Sequence, residues 1–118
     1  MDITPIYWKD ELIGWAGMVT HVLEVGGITP GSMPVLCSER FTEGLIICAE
    51  KIGENDQIYK HYEVRAERSV RSPDLWILDT KARVTGALGA RDGILSTIEE
   101  FGVDYYNCLL YTSDAADE

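Results

Sequence analysis

The chain has 118 residues, with 10 basic and 20 acidic side chains and a formal net charge of −10. So few scattered cations cannot form the broad basic face that neutralises phosphates, which argues against a nucleic-acid partner. The sequence has neither a signal-peptide pattern nor an apolar run that would span a bilayer, so we expect no membrane partner. Three cysteines without metal-type or redox-type spacing predict free thiols in the reducing cytoplasm.

The first elements predict a β-hairpin. Residues 2–8 and 12–22 are rich in β-forming side chains, and the polar residues 9–11 between them indicate a turn. With a turn at this place, the numbers of residues paired across the hairpin should sum to about 21 to 23. This register places Asp2 opposite one of three residues at the end of the second strand, namely Val19, Thr20 or His21.

The middle of the chain predicts a shaped loop and a short strand. Residues 24–36 contain three glycines and two prolines, which exclude regular structure, while their apolar side chains indicate packing against a core. Residues 39–52 contain a short apolar run that we interpret as a strand. Residues 53–56 are typical of a turn.

Helical patterns follow. Residues 57–71 place Ile58, Tyr62 and Ala66 four residues apart, as in an amphipathic helix. Residues 72–74, Ser-Pro-Asp, are typical of a helix start, and the second helix is predicted to run to Phe101 with Gly102 as its stop. The predicted fold class is therefore α+β: an N-terminal β-hairpin, a Gly/Pro-rich loop, a short strand and two C-terminal helices, within a larger mixed domain.

The last eleven residues, 108–118, differ in character from the rest. One back-translation of Cys-Leu-Leu-Tyr-Thr-Ser-Asp-Ala-Ala-Asp-Glu matches, in frame, a transposase-type adapter used in short-read sequencing libraries. A flexible acidic tail is the alternative. We expect residues 108–118 to be a non-biological, translated-adapter tail, and residues 1–107 to be a partial domain cut from a longer polypeptide. Without the tail, the net charge is −7 and two cysteines remain.

A candidate site lies at the open end of the predicted hairpin. The predicted register brings the Asp2 carboxylate near the His21 imidazole, and Glu24 follows where the strand gives way to Gly26 and Gly27. One imidazole and two carboxylates suit a divalent metal such as Mn²⁺ or Zn²⁺. A hydrogen-bonded surface group at a strand end is the alternative, and the residues alone leave both open.

Other conspicuous residues have structural interpretations. Ser32 is interpreted as a turn residue, because no histidine or lysine base is evident beside it. Arg71 could pair with substrate or phosphate, but a solvated helix face is the simpler interpretation. The three tryptophans, Trp8, Trp15 and Trp76, are predicted to lie in the core.

Several motifs match one family in order. Residues 2–7, Asp-Ile-Thr-Pro-Ile-Tyr, resemble an aspartate-led strand that follows a Gly-Thr-His-x-x-Asp motif, whose histidine would precede Met1. Residues 21–27, His-Val-Leu-Glu-Val-Gly-Gly, resemble His-x-x-Asp-Val-Gly-Gly with Glu24 in place of aspartate. Residues 30–34 read Pro-Gly-Ser-Met-Pro, as in the family. From Asp2 to Gly102 the chain resembles the hydantoinase B/oxoprolinase family.

This resemblance implies roles for particular residues. It implies that Asp2 and His21 are metal ligands and that Glu24 is a ligand or lies just outside the ligand set. The metal would be divalent, Mn²⁺ or Zn²⁺. The loop that shapes the site would comprise five residues, namely Gly26, Gly27, Pro30, Gly31 and Ser32.

The resemblance also implies a function. It points to the catalytic subunit of an ATP-dependent enzyme that opens cyclic amides such as hydantoin or oxoproline rings, with ATP bound by a hydantoinase A-type partner subunit. An acetone or acetophenone carboxylase-type subunit, acting on a ketone, is the alternative. A small non-catalytic binding domain is an alternative from another class. Residues 1–107 alone are expected to be inactive, because half of the metal motif and the partner are absent.

Overall fold

The computed structural model describes residues 1–116 and confirms a mixed α+β fold. Two antiparallel strand pairs precede three α-helices, and a single 3₁₀ turn lies between the strand pairs. The strands are β1 (Asp2–Trp8), β2 (Glu11–Met18), β3 (Gly53–Glu54) and β4 (Gln57–Ile58). The helices are α1 (Lys60–Ser69), α2 (Pro73–Phe101) and α3 (Val103–Ala116). No described helix is both long enough and apolar enough to cross a membrane.

The N-terminal hairpin forms as predicted, but its register differs. Lys9 and Asp10 both have positive φ, 50° and 67°, the signature of a two-residue type I′ turn. Because the turn holds only these two residues, β2 already begins at Glu11, and Asp2 pairs with Met18. A one-residue shift in pairing between Ile6 and Tyr7 is too small to bring Asp2 opposite the predicted residues 19–21. The prediction that Asp2 lies opposite residues 19–21 is therefore wrong.

The prediction of a short strand within residues 39–52 is also wrong. Arg40–Glu43 forms a 3₁₀ turn, and β structure begins only with β3, which pairs with β4. Asn55 and Asp56 connect these strands with φ values of 51° and 62°. Residues of this type tolerate the left-handed region, so they fix where the short hairpin turns.

The helices follow the predicted signals closely. α1 is shorter than the predicted 57–71, because β4 takes its first residues. α2 runs from Pro73 to Phe101 as predicted, and Gly102 ends it with φ +88°. α3 was not predicted. It includes residues 108–116 of the segment interpreted as translated adapter, while residues 117–118 lie outside the described part; the origin of that segment stays a prediction.

The chain divides into two compact units. The first unit comprises Met1–Met18 and Val84–Glu118, and the second comprises Val19–Arg83. In the first unit, Gly86 of α2 packs against Met18 at the end of β2. A Cβ on Gly86 would lie 2.6 Å from Met18 Cε, so a side chain there would displace Met18. In the second unit, the rings of Tyr62 and Trp76 are 5.2 Å apart and tilted by 36°. These two rings belong to the core cluster of the second unit, which comprises Tyr62, Ala66, Val70 and Trp76.

A charge cluster ties α1 to the start of α2 within the second unit. Glu63 Oε1 lies 2.7 Å from Lys81 Nζ, and Glu63 Oε2 lies 2.9 Å from Lys60 Nζ. The hydrogen bond from Lys81, and then that from Lys60, lowers the pKa of Glu63 from 4.5 to about 2. A carboxyl group with a lowered pKa stabilises the fold above its unfolded pKa and loses that contribution as the pH falls.

We expect Glu63→Gln to lower the thermal unfolding midpoint at neutral pH. The difference from the unchanged chain should shrink as the pH falls from about 4.5 to about 2, because the carboxylate is then protonated in both states of the chain. Thermal melts at a series of pH values, followed by circular dichroism, measure this. Glu67→Gln, at an exposed position of the same helix, is the control. A difference that stays constant over this pH range would contradict the expectation.

Candidate functional site

The structure places the predicted metal ligands in different surroundings. Asp2 is the first residue of β1, pairs with Met18 and is partly exposed. His21 is exposed and follows the end of β2, in the second unit. Glu24, in the same unit, is buried. Among residues 1–116, no group of three or more His, Cys, Asp or Glu side chains is arranged to hold a metal ion.

The Glu24 carboxylate is held by hydrogen bonds from both sides. Its Oε1 accepts the backbone N–H of Gly26 at 3.0 Å and the backbone N–H of Arg71 at 2.9 Å. Its Oε2 accepts Nη1 of Arg71 at 2.9 Å. The side chain of Glu24 is only 5% exposed, so this carboxylate is a desolvated and fully engaged group.

These contacts keep Glu24 ionised. The hydrogen bonds from the Arg71 backbone and then from its guanidinium lower the pKa of Glu24 below its usual 4.5, while burial acts in the opposite direction. Hydrogen bonds that favour the charged form outweigh desolvation here because three donors converge on one carboxylate. The group is therefore a buried anion with its positive partner in place.

Arg71 also binds the backbone of the Gly-rich loop. Its Nη2 donates to the carbonyl oxygen of Gly27 at 2.7 Å, and its Nη1 lies 3.5 Å from the carbonyl oxygen of Thr29. A guanidinium presents several N–H groups in one plane and can therefore bridge a carboxylate and a carbonyl. Arg71 thus connects the link between α1 and α2 to the loop after β2.

The loop itself is organised by Ser32. The Ser32 hydroxyl oxygen accepts the backbone N–H groups of Val25, at 2.8 Å, and of Gly27, at 2.9 Å. Ser32 has φ +53°, and its own N–H donates to the carbonyl oxygen of Thr29 at 2.9 Å. Because the oxygen accepts two N–H groups, Ser32 has the contacts of a loop-organising residue.

Two glycines let the loop pack closely. Gly26 has φ +81°, and a Cβ there would overlap the carbonyl oxygen of Ser69. Gly27 is buried, and a Cβ there would lie 3.0 Å from Ser32 Cα. Gly31 also has φ +81° but faces open space. The loop therefore needs glycine at position 26 for both its dihedral angle and its close contact.

Arg71, which the sequence does not place in the candidate site, makes several of these contacts. The Arg71 side chain is 46% exposed, in agreement with the solvated interpretation, but it also binds Glu24, Gly27 and Thr29. The alternative interpretation of the polar residues, a hydrogen-bonded surface group, agrees with the hydrogen bonds of Glu24 but not with its burial. The one local signal was position: Arg71 lies in the short link between α1 and α2, where the backbone is fixed on both sides.

The metal hypothesis gains no complete donor set from the described residues. A zinc site uses at least three protein ligands, and no three His, Cys, Asp or Glu side chains of the described part gather in this way. The Glu24 oxygens already face a guanidinium and two backbone N–H groups.

Comparison with known proteins identifies the relationship. The family model described as hydantoinase B/oxoprolinase matches residues 1–115. The acetone carboxylase alpha subunit of Xanthobacter autotrophicus is 38% identical over 88% of this chain and 13% of its own length. The acetophenone carboxylase delta subunit of Aromatoleum aromaticum is 34% identical over 86% of this chain and 15% of its own length.

A solved structure agrees. A nucleotide-free structure of acetone carboxylase, from work on ATP-dependent acetone carboxylation, superimposes with a TM-score of 0.82 at 38% identity, over 88% of this chain and 14% of that chain. The chain therefore spans about one seventh of the length of these relatives. With a family model that covers nearly all of its residues, the chain belongs to the hydantoinase B/oxoprolinase family.

Proposed function

We propose that the chain is a segment of the catalytic subunit of an ATP-dependent carboxylase that acts on a small ketone. The likeness to acetone carboxylase supports this most directly, because sequence identity of 38% and a TM-score of 0.82 extend over 88% of the chain. A second relative, at 34% identity, is also named as a carboxylase subunit. In this proposal, ATP is bound by a hydantoinase A-type partner subunit.

Cyclic-amide opening is the second candidate. The family model carries the hydantoinase B/oxoprolinase description over residues 1–115, so a subunit that hydrolyses hydantoin or oxoproline rings has the same fold-level support. The two activities share one chemical demand, the activation of a carbonyl group at the expense of ATP. They differ in the substrate and in whether a C–C bond forms or a C–N bond breaks.

The experiment compares both activities in one preparation. The full-length subunit that contains this sequence is purified together with the subunits encoded beside it. Acetone, acetophenone, hydantoin and 5-oxoproline are each supplied with ATP and labelled bicarbonate. We expect ATP-dependent incorporation of label with a ketone. Ring opening of a cyclic amide, with no label incorporated, would overturn the carboxylase proposal and favour the hydrolase.

A divalent metal, Mn²⁺ or Zn²⁺, remains part of the proposal on the strength of the motif likeness at Asp2 and at His21. Such an ion would supply Lewis acidity for carbonyl activation. Metal content of the full-length subunit tests it, with His21→Ala as the variant and His61→Ala, at an exposed position on α1, as the control. Loss of metal only in His21→Ala is the expected result, and equal content in both variants would exclude His21 as a ligand.

A further inference from the structure

The Glu24–Arg71 pair forms one connected group with the Gly-rich loop. Glu24 binds Arg71 through the Arg71 backbone and through its guanidinium, across 47 residues of sequence. The same guanidinium donates to Gly27, and the same carboxylate accepts from Gly26. We call these two side chains, Glu24 and Arg71, the clamp. Removing either member leaves the other without its main partner and releases the loop on one side.

The surroundings of Glu24 are unsuited to a metal ion. A cation at its carboxylate would lie within a few ångströms of the Arg71 guanidinium, and like charges at that distance repel. The carboxylate is 5% exposed and already accepts three hydrogen bonds. Glu24 is therefore satisfied by the chain itself.

The clamp controls a loop that begins next to His21. Glu24 follows His21 by three residues. The Gly26 N–H donates to Glu24, and the Gly27 carbonyl oxygen accepts from Arg71. Helix α1 fixes the backbone up to the residue before Arg71, because the Val70 N–H donates to the Ala66 carbonyl oxygen at 3.2 Å. A fixed arginine can hold the loop in one conformation, whereas loops without such contacts sample many.

We propose that Glu24 is a positioning residue that acts through Arg71 to fix the loop from Gly26 to Ser32, and that it is not a metal ligand. The placement of the loop in a catalytic site rests on the proposed function. The clamp itself does not, because its contacts lie within this chain. The two parts therefore need separate readouts.

Amide hydrogen exchange on the full-length subunit that contains this sequence tests the clamp. Glu24→Gln keeps the shape of the side chain and removes its charge, and Arg71→Met removes the guanidinium. We expect each variant to speed exchange of the Gly26 N–H about tenfold or more, because a hydrogen bond to a charged acceptor is lost or loosened. The double variant should exchange no faster than the faster single variant, since both remove the same group.

A matched control separates the clamp from general loss of charge. Glu50 and Arg65 form an ion pair in the same unit, through both carboxylate oxygens. Glu50→Gln should leave Gly26 exchange unchanged within about twofold, since surface ion pairs contribute little. If Arg71→Met reduces the helical signal in circular dichroism, Arg71→Lys replaces it, because lysine keeps the charge but lacks the planar fork. Unchanged Gly26 exchange in Glu24→Gln would overturn the clamp.

Metal content of the full-length subunit, loaded with MnCl₂ or ZnCl₂ alone, tests the second half of the proposal. Positioning predicts that Glu24→Gln and Arg71→Met change metal content by the same factor and that the double variant changes it no further. Loss of metal in Glu24→Gln with full metal in Arg71→Met would make Glu24 a ligand and overturn the proposal. A subunit that binds no metal in any form contradicts the metal proposal, while the exchange result still decides the clamp.

Discussion

Gly26→Ala is expected to lower the free energy of unfolding of the chain by about 3 kcal/mol or more. Two costs add at this position. Gly26 has φ +81°, where a side chain costs about 1–2 kcal/mol. A Cβ would also overlap the carbonyl oxygen of Ser69, a backbone atom at the end of α1 that cannot rotate away. Urea unfolding followed by circular dichroism measures the change.

Gly31→Ala is the matched control for this expectation. Gly31 has the same φ of +81°, but nothing lies within 4 Å of the position that a Cβ would take. We expect a loss of about 1 kcal/mol, which reflects the dihedral angle alone. The difference between the two variants therefore measures the close contact between the loop and α1. Equal losses at both positions would mean that Ser69 does not pack against Gly26.

Much of the fold could be predicted because its signals are local. A polar two-residue turn between β-rich segments, and a Ser-Pro-Asp start followed by a glycine stop, are read within a few residues. α2 runs from Pro73 to Phe101 as these signals indicate. The predicted partner of Asp2 was wrong because pairing in a hairpin depends on the exact length of the turn. The type I′ turn at Lys9 and Asp10 holds only two residues, so Asp2 pairs with Met18.

The predicted strand in residues 39–52 failed for a related reason. A short apolar run does not form a strand unless a partner strand is available for its backbone hydrogen bonds. Ile46 and Ile47 are 47% and 42% exposed, and the paired residues nearby are instead Gly53 with Ile58. Composition identified apolar residues correctly but could not say which of them find a partner.

The candidate site was predictable in place but not in its contacts. The motif at residues 21–27 identified the loop, and Glu24 lies in it. Its partner Arg71 is 47 residues away and looks like any helix-flanking arginine in the sequence. Pairing across that distance depends on how α1 returns the chain to the loop. A single sequence shows neither that path nor the desolvation that makes the pair important.

Trp76→Ala is expected to lower the free energy of unfolding by about 4 kcal/mol. Trp76 is 5% exposed, and its ring packs on Tyr62 at a centroid distance of 5.2 Å within the core cluster of the second unit. Alanine removes this aromatic pair and leaves a cavity between α1 and the first turns of α2, which surrounding side chains fill only in part. Urea unfolding followed by circular dichroism at 222 nm, a helix wavelength, measures the loss.

Trp15→Ala is the matched control, because the same atoms are removed from an exposed position. The sequence predicts a core role for both tryptophans, yet Trp15 on β2 is 58% exposed. An exposed ring loses little on truncation, so we expect a change below about 1 kcal/mol. The contrast follows from side-chain environment alone, since residue type and substitution are identical. Losses of similar size at both positions would show that Trp76 does not occupy the core of its unit.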